Sequence, residues 1–254
     1  MLKLENVSKN FGGLPALSRV SFSVAHGSLT ALIGPNGAGK STLINCITGV
    51  LHPSQGEVFF QGHDVAGQAT HVISRLGIAR TFQNLKLFPR LSVLENVLTG
   101  LTNEGGDSML LAMLRLPALR HRERQLKLRA LEALDRFQLA DKANWPAGIL
   151  AYGDKKRVEL ARAIVGRPRL LLLDEPVAGL NADETAAVGE QLRLLRSSGH
   201  TMLLVEHDMD LVMEIADQVI VLDSGRCIAT GTPDEVRRNP LVLEAYLGRM
   251  EATA

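Results

Sequence analysis

Nine consecutive residues, Gly34-Pro35-Asn36-Gly37-Ala38-Gly39-Lys40-Ser41-Thr42, have the types and spacing of a phosphate-binding loop, G-x-x-x-x-G-K-S. The glycines let backbone N–H groups turn inward to cradle phosphate oxygens, where side chains would block them. Lys40 can place its ammonium on the β- and γ-phosphates of a nucleotide, and Ser41 can give a hydroxyl to Mg²⁺. Thr42 is expected to begin a helix whose N-terminal dipole favours the anion. A glycine turn joining a strand to a helix would explain the glycines but not the Lys-Ser pair that follows them.

A second cluster supplies what hydrolysis needs beyond binding. The apolar run Arg169–Asp174 ends in acid and is followed by Glu175-Pro176. Asp174 can hold the Mg²⁺ shell, and Glu175 can polarise an attacking water. Phe11, just before Gly12-Gly13, has two readings: a ring that stacks on a nucleotide base, or one that fills the core.

These residues need strands and helices to hold them. Ser28–Ile33 reads as a buried strand entering the loop, and Thr42–Val50 as the helix leaving it. Leu2–Val7, Val20–Val24 and Glu57–Phe60 suggest an antiparallel lobe near the N-terminus. Ile78–Phe82 is a short strand. Ser92-x-x-Glu95 is a capping box that starts a helix, and from there to about Leu150 the pattern is helical, with Leu126, Ala130, Leu134 and Phe137 at inward spacing and a loop at Gly105-Gly106-Asp107-Ser108. The cationic stretch Arg115–Arg129 reads as a solvated helix face rather than a partner surface. Arg169–Asp174 and Thr201–Val205 are buried parallel strands, and Asn181-x-x-Glu184 caps the helix between them. Met209, Val212, Met213 and Ala216 mark the inner stripe of the next helix. Asp223-Ser224-Gly225 reads as a hairpin turn, and Thr232-Pro233-x-Glu235 opens a last helix.

A chain of 254 residues, 46% hydrophobic and 22% charged, can bury the core of one large α/β domain. The net charge of +1 gives no field for nucleic acid. Two cysteines, Cys46 and Cys227, are too few for a metal cluster or a disulfide framework, and both are expected reduced in the core. No secretory pattern is expected in MLKLENVSKN, and no apolar run reaches the ~20 residues of a membrane span. Membrane work would need another chain to span.

Seven motifs resemble those of the ATP-binding subunits of ABC transporters. Besides the phosphate loop and Asp174-Glu175, Leu150-Ala151-Tyr152-Gly153-Asp154 stands where that superfamily carries its L-S-G-G-Q signature. Gln83 matches its Q-loop, Ala178-Gly179-Leu180-Asn181 its D-loop, His207 its switch histidine and Phe11 its adenine-stacking aromatic. The resemblance implies an α/β fold: a P-loop NTPase cassette with a RecA-like core, an N-terminal antiparallel β lobe and an inserted α-helical lobe. It implies one ABC domain over 1–254, with core and β lobe in 1–84 and 151–254, the helical lobe at about 85–150, and a C-terminal helix in 232–254.

It also implies roles. Two subunits would close head to tail on two ATP molecules, each held by Phe11, the Gly34–Thr42 loop and Gln83 of one subunit and by Ala151, Tyr152, Gly153 and Asp154 of the other. Lys40, Glu175 and His207 would be catalytic, and Ser41, Gln83 and Asp174 would serve Mg²⁺. The signature departs from the pattern: Ala151 lacks the serine hydroxyl, Tyr152 replaces a glycine and Asp154 a glutamine. Asn181 replaces the D-loop aspartate. The backbone at Gly153 therefore carries more of the expected phosphate contact than the Asp154 side chain.

A narrower similarity runs nearly end to end. The Ala-Tyr-Gly-Asp variant, MLLAMLRLPALRHRER, EHDMDLVMEIADQVIVLDSG and GTPDEVRRNPLVLEAYLG are similar to the ATPase subunits of branched-chain amino acid importers. That implies an ATPase peripheral on the cytoplasmic face of the cell membrane. Its partners would be transmembrane permeases, a second ATP-binding subunit and, indirectly, an extracytoplasmic substrate-binding protein, with no nucleic acid. The alternatives are the ATPase of urea or amide uptake or of lipopolysaccharide export, and a soluble ABC protein outside transport.

Overall fold

The computed structural model describes residues 1–81, 85–104 and 117–247. The chain divides into two compact units. One comprises Met1–Arg80, Arg169–Glu175 and Leu192–Ala254, the other Thr81–Pro168 and Pro176–Gln191.

The first unit holds both sheets. In the smaller, β1 (Leu2–Phe11), β2 (Leu14–Val24), β4 (Gln55–Phe60) and β5 (His63–Asp64) lie in the order β2-β1-β4-β5, all antiparallel. Leu4 sits opposite both Phe22 and Val58, so one face of the sheet is apolar. Period-2 alternation thus puts Leu2, Leu4, Val20, Val24, Val58 and Phe60 inward.

The larger sheet has the order β10-β9-β3-β8-β7-β6. Its strands are β3 (Leu29–Ile33), β6 (Ile78–Arg80), β7 (Leu170–Asp174), β8 (Met202–Val205), β9 (Gln218–Asp223) and β10 (Arg226–Gly231). All neighbours are parallel except β10, which returns antiparallel along β9. Strands β3, β8 and β7 are buried at every residue, which is why they read as near-continuous apolar runs. Helix α1 (Lys40–Ile47) turns Leu43, Ile44, Cys46 and Ile47 into a core shared by the antiparallel sheet and by Leu32, Leu172, Leu203 and Ile220 of the parallel one. Helix α2 (Thr70–Arg75) adds Ile73 to that core.

The second unit is helical: α3 (Val93–Leu98), α4 (Pro117–Arg136) and α5 (Tyr152–Ile164). Val93 and Val97, Ala130, Leu134 and Phe137, and Val158, Ala161 and Ile164 are their buried faces. Leu126 is half-buried, and Arg124 and Lys127 are exposed. The loop expected at Gly105–Ser108 lies outside the described residues. Ser92 and Glu95 form the expected box: the Glu95 N–H donates to the Ser92 hydroxyl and the Ser92 N–H to the Glu95 carboxylate.

Helix α6 (Ala182–Ser197) buries Val188, Leu192 and Leu195. Helices α7 (Met209–Ile215), α8 (Pro233–Arg237) and α9 (Pro240–Leu247) are the last among the described residues.

Three expectations are corrected. Helix α1 begins at Lys40, two residues before Thr42, because Gly39 takes the left-handed conformation (φ 103°) and ends the loop there. The inner face of α7 is Leu211, Val212 and Ile215, with Met209 and Met213 only half-buried. Asp208 caps that helix through the Leu211 N–H, which fixes where the turn starts and therefore which side chains face in. Cys227 is not in the core; it lies half-buried on edge strand β10, while Cys46 is fully buried and both are free thiols.

Candidate functional site

Strand register decides what meets at the carboxyl end of the parallel sheet. Leu32 of β3 pairs with Val205 of β8, which pairs with Asp174 of β7. These three residues form one row across three parallel strands. The chain therefore leaves that row as Ile33-Gly34 into the phosphate loop, as Glu206-His207, and as Glu175. Parallel strands that end together open a crevice at their carboxyl ends, the usual place for a ligand in such sheets.

The loop itself is shaped by close approach. Gly34 has φ 148°, and a β-carbon there would stand 2.0 Å from the Leu222 carbonyl oxygen, so no other residue fits. The Gly225 N–H, in the β9–β10 turn, donates to the Ala38 carbonyl at 2.9 Å and fixes the back of the loop. Lys40 donates its ammonium to the Gly34 and Pro35 carbonyls at 2.6 and 3.1 Å, so the cation is drawn over the loop. Burial lowers the Lys40 pKa from its ordinary value, while the negative charges of Glu175 and then Asp174 pull it back up. The ammonium thus feels both carboxylates across the crevice. Asn36, Gly37 and Ser41 are exposed, Thr42 is half-buried and Ala38 is buried.

Asp174 ends β7 and is buried. The Arg80 guanidinium, at the end of β6, donates to Asp174 Oδ2 at 2.8 Å and to Asn45 Oδ1 of α1 at 2.7 Å. Sequence reading did not single out Arg80; a lone cation at a strand end carries no pattern of its own. Glu175 donates its N–H to the Val205 carbonyl at 2.9 Å and holds φ at 49°. A left-handed non-glycine residue costs about 1 kcal/mol or more, and such strain concentrates where a side chain must be aimed. Ser41 hydroxyl and Asp174 carboxylate are hard oxygen donors, the chemistry that suits Mg²⁺, so the residues present fit that ion.

His207 follows β8. Its side chain is 63% exposed, its N–H donates to Glu206 Oε2 at 3.0 Å, and Glu206 is fully buried. Phe11 ends β1 beside the Gly12-Gly13 turn and is 47% exposed, with Lys9 Nζ 5.2 Å from its ring centroid. An exposed aromatic ring with a cation against it is a poor core residue and a serviceable platform for a base. Gln83 lies outside the described residues.

In the helical unit, Ala151 is the N-cap of α5 and offers no side-chain cap, which leaves the first-turn N–H groups to be satisfied otherwise. Gly153 is buried. The carboxylate of Asp154 is also buried, held by Lys142 at 2.5 Å and by Arg157. Its charge is therefore neutralised within the unit. Tyr152 is half-exposed, and its hydroxyl donates to the Ala178 carbonyl at 3.3 Å.

Comparison with known proteins identifies the family of the chain. The family model described as ABC transporter matches residues 17–178, and the model described as Branched-chain amino acid ATP-binding cassette transporter matches residues 226–252. The chain is 41% identical over 249 residues to the high-affinity branched-chain amino acid transport ATP-binding protein BraF of Pseudomonas aeruginosa, covering 98% of each chain. It is 40% identical, with the same coverage, to LivG of Escherichia coli K12. Among solved structures, it superposes on the ADP conformation of MJ1267, an ATP-binding cassette of an ABC transporter, with a TM-score of 0.85 and 34% identity over 98% of both chains. It also superposes on a dimeric post-hydrolysis state of the cassette MJ0796 bound to ADP and Pi, with a TM-score of 0.76 and 28% identity over 92% of this chain and 99% of that one.

Proposed function

The chain belongs to the ABC transporter ATP-binding family, and within it to the branched-chain amino acid transport ATP-binding proteins; from that membership we propose that it is the ATP-hydrolysing subunit that powers a branched-chain amino acid importer. The observation that carries the catalytic half of this reading is the row Leu32, Val205, Asp174. It brings the phosphate loop, Glu175 and His207 out at the carboxyl ends of three neighbouring strands.

In this mechanism the loop Gly34–Thr42 wraps the phosphates of ATP and Phe11 stacks on its base. Lys40 leaves the Gly34 and Pro35 carbonyls for the β- and γ-phosphates, gaining a charged partner in place of two neutral ones. Ser41, Gln83 and Asp174 would hold Mg²⁺, which, when bound, offsets the charge that builds on the phosphates. Glu175 accepts the proton of the attacking water, its direction set by the left-handed backbone. His207, on its exposed loop, holds the γ-phosphate.

The signature segment serves a second subunit. Ala151, Tyr152 and Gly153 open α5, so its first-turn N–H groups and positive dipole end can meet the partner's γ-phosphate. Asp154 plays a supporting part there: salt-bridged and buried, it holds the helix start without setting a bare negative charge beside the phosphate. The working pair is this chain with a second ATP-binding subunit, docked on transmembrane permeases at the cytoplasmic face of the membrane and fed by an extracytoplasmic binding protein. No helix among the described residues is long and apolar enough to cross a membrane, so spanning falls to those permeases.

Two measurements test the reading. Purified chain should release phosphate from ATP, and Lys40→Ala should not. Co-purification from native membranes in mild detergent should recover two permeases and a second ATPase; recovery with ribosomes, DNA or no membrane protein would remove the transport assignment.

A further inference from the structure

Arg80 occupies a position that no phosphate-loop motif assigns. It is the last residue of β6 and the last residue of the catalytic unit before the chain passes into the helical one at Thr81. Its guanidinium works as a fork. Nη2 donates to Asp174 Oδ2 at 2.8 Å, and Nη1 to Asn45 Oδ1 at 2.7 Å and to Thr48 Oγ1 at 3.4 Å. Both charged side chains are largely buried, at 15% exposure for Arg80 and 8% for Asp174.

That arrangement ties three elements together. Asp174 ends β7, and Asn45 lies five residues beyond Lys40 on the helix that begins with Lys40 and Ser41. A carboxylate with one oxygen pinned by a planar donor has a fixed orientation, and the same donor pins that carboxylate to the helix carrying Ser41. Partners of this kind, one step behind a metal-ligating group, commonly change metal affinity by about 10–100-fold when removed. A lysine could offer a charge to Asp174 but not the two diverging bonds.

We propose that Arg80 is a positioning residue: it holds the Asp174 carboxylate in register with Ser41 so that the nucleotide is bound with its Mg²⁺. The inference rests on the proposed function above. Positioning and simple electrostatics have opposite signs. If Arg80 acted only as a positive charge beside the metal, its removal would strengthen Mg²⁺ binding; if it positions Asp174, removal weakens it.

The test is binding of a fluorescent ATP analogue (mant-ATP) to the full chain, first in EDTA and then titrated with Mg²⁺. For Arg80→Met, affinity in EDTA should stay within about twofold of wild type, and the Mg²⁺ midpoint should rise about tenfold. Arg80→Lys should recover only part of that shift, and Arg80→Met should add little to Asp174→Asn. Should Arg80→Met fail to fold, Asn45→Ala cuts only the helix arm of the fork and should raise the midpoint by a smaller factor. A Mg²⁺ midpoint unchanged or lowered in Arg80→Met, complete recovery by Arg80→Lys, or no shift in Asn45→Ala would overturn the inference. Wild type that bound no mant-ATP in either condition would overturn the proposed function beneath it.

Discussion

Gly153 of the signature segment lies directly against Glu184: a β-carbon on Gly153 would stand 2.5 Å from Glu184 Oε1 and 2.9 Å from its Cδ. Glu184 has little room to yield. Its carboxylate accepts from the Asn181 N–H at 3.1 Å, while its own N–H donates to the Asn181 side chain at 2.9 Å. The start of α5 and the cap of α6 are therefore one packed assembly, and we predict that Gly153→Ala breaks the box at Asn181. The expected loss is about 1 kcal/mol of stability. Adding Glu184→Ala to Gly153→Ala should cost less than the two single changes summed, and strict additivity in thermal melts would rule out the contact.

Asp154 stands where the superfamily has glutamine, and Lys142 and Arg157 both pair with it. Asp154→Ala removes an acceptor from two partly buried cations. We expect a loss of about 2 kcal/mol, or roughly 4–8 °C in Tm for a chain of this size. Asp154→Asn keeps the shape and loses the charge, so it should fall between wild type and Asp154→Ala. A melt in which Asp154→Ala equals wild type would show the pairs to be idle.

The pH dependence of nucleotide binding follows from Lys40. Its pKa lies below the ordinary lysine value because of burial, with Glu175 the larger of two charges that raise it back. On the proposed function, protonated Lys40 binds phosphate and neutral Lys40 does not, so affinity should fall as pH rises through this pKa. Removing the Glu175 charge takes away a raising influence and lowers the Lys40 pKa further. In Glu175→Gln the alkaline loss of mant-ATP affinity should therefore begin at lower pH than in wild type. An unchanged onset would mean that the two side chains do not interact, and an onset at higher pH would contradict the sign of that interaction.

Glu175→Gln should also separate binding from hydrolysis. The amide cannot take the water's proton, and loss of such a base costs about 10²–10⁴-fold in rate. ATP affinity at neutral pH should survive, and the variant should accumulate as a paired, ATP-bound form in gel filtration with the second subunit. Only unpaired protein under those conditions would count against the closed-pair mechanism.

Lys40→Ala removes the main cation at the loop. Phosphate release should drop by at least about a hundredfold, and turnover at the wild-type rate would overturn the assignment of the loop.

Much of this protein is local, and what is local was written in the sequence. The phosphate loop needs glycine, lysine and serine at fixed offsets, because a backbone cradle and its helix are built from neighbours in the chain. The boxes at Ser92 and Glu95, Asn181 and Glu184, and Thr232 and Glu235 are four-residue devices that formed as read. The buried strands β3, β7 and β8 announced themselves as apolar runs. Tertiary structure decided the rest. It aligned Leu32, Val205 and Asp174 in one row, gave Asp174 a partner 94 positions away in Arg80, and buried Asp154 between two cations. It also left Phe11 half out of the core and turned α7 on its Asp208 cap. Ion pairs between distant residues and the rotation of a short helix leave no period in a sequence; they depend on which strands lie side by side.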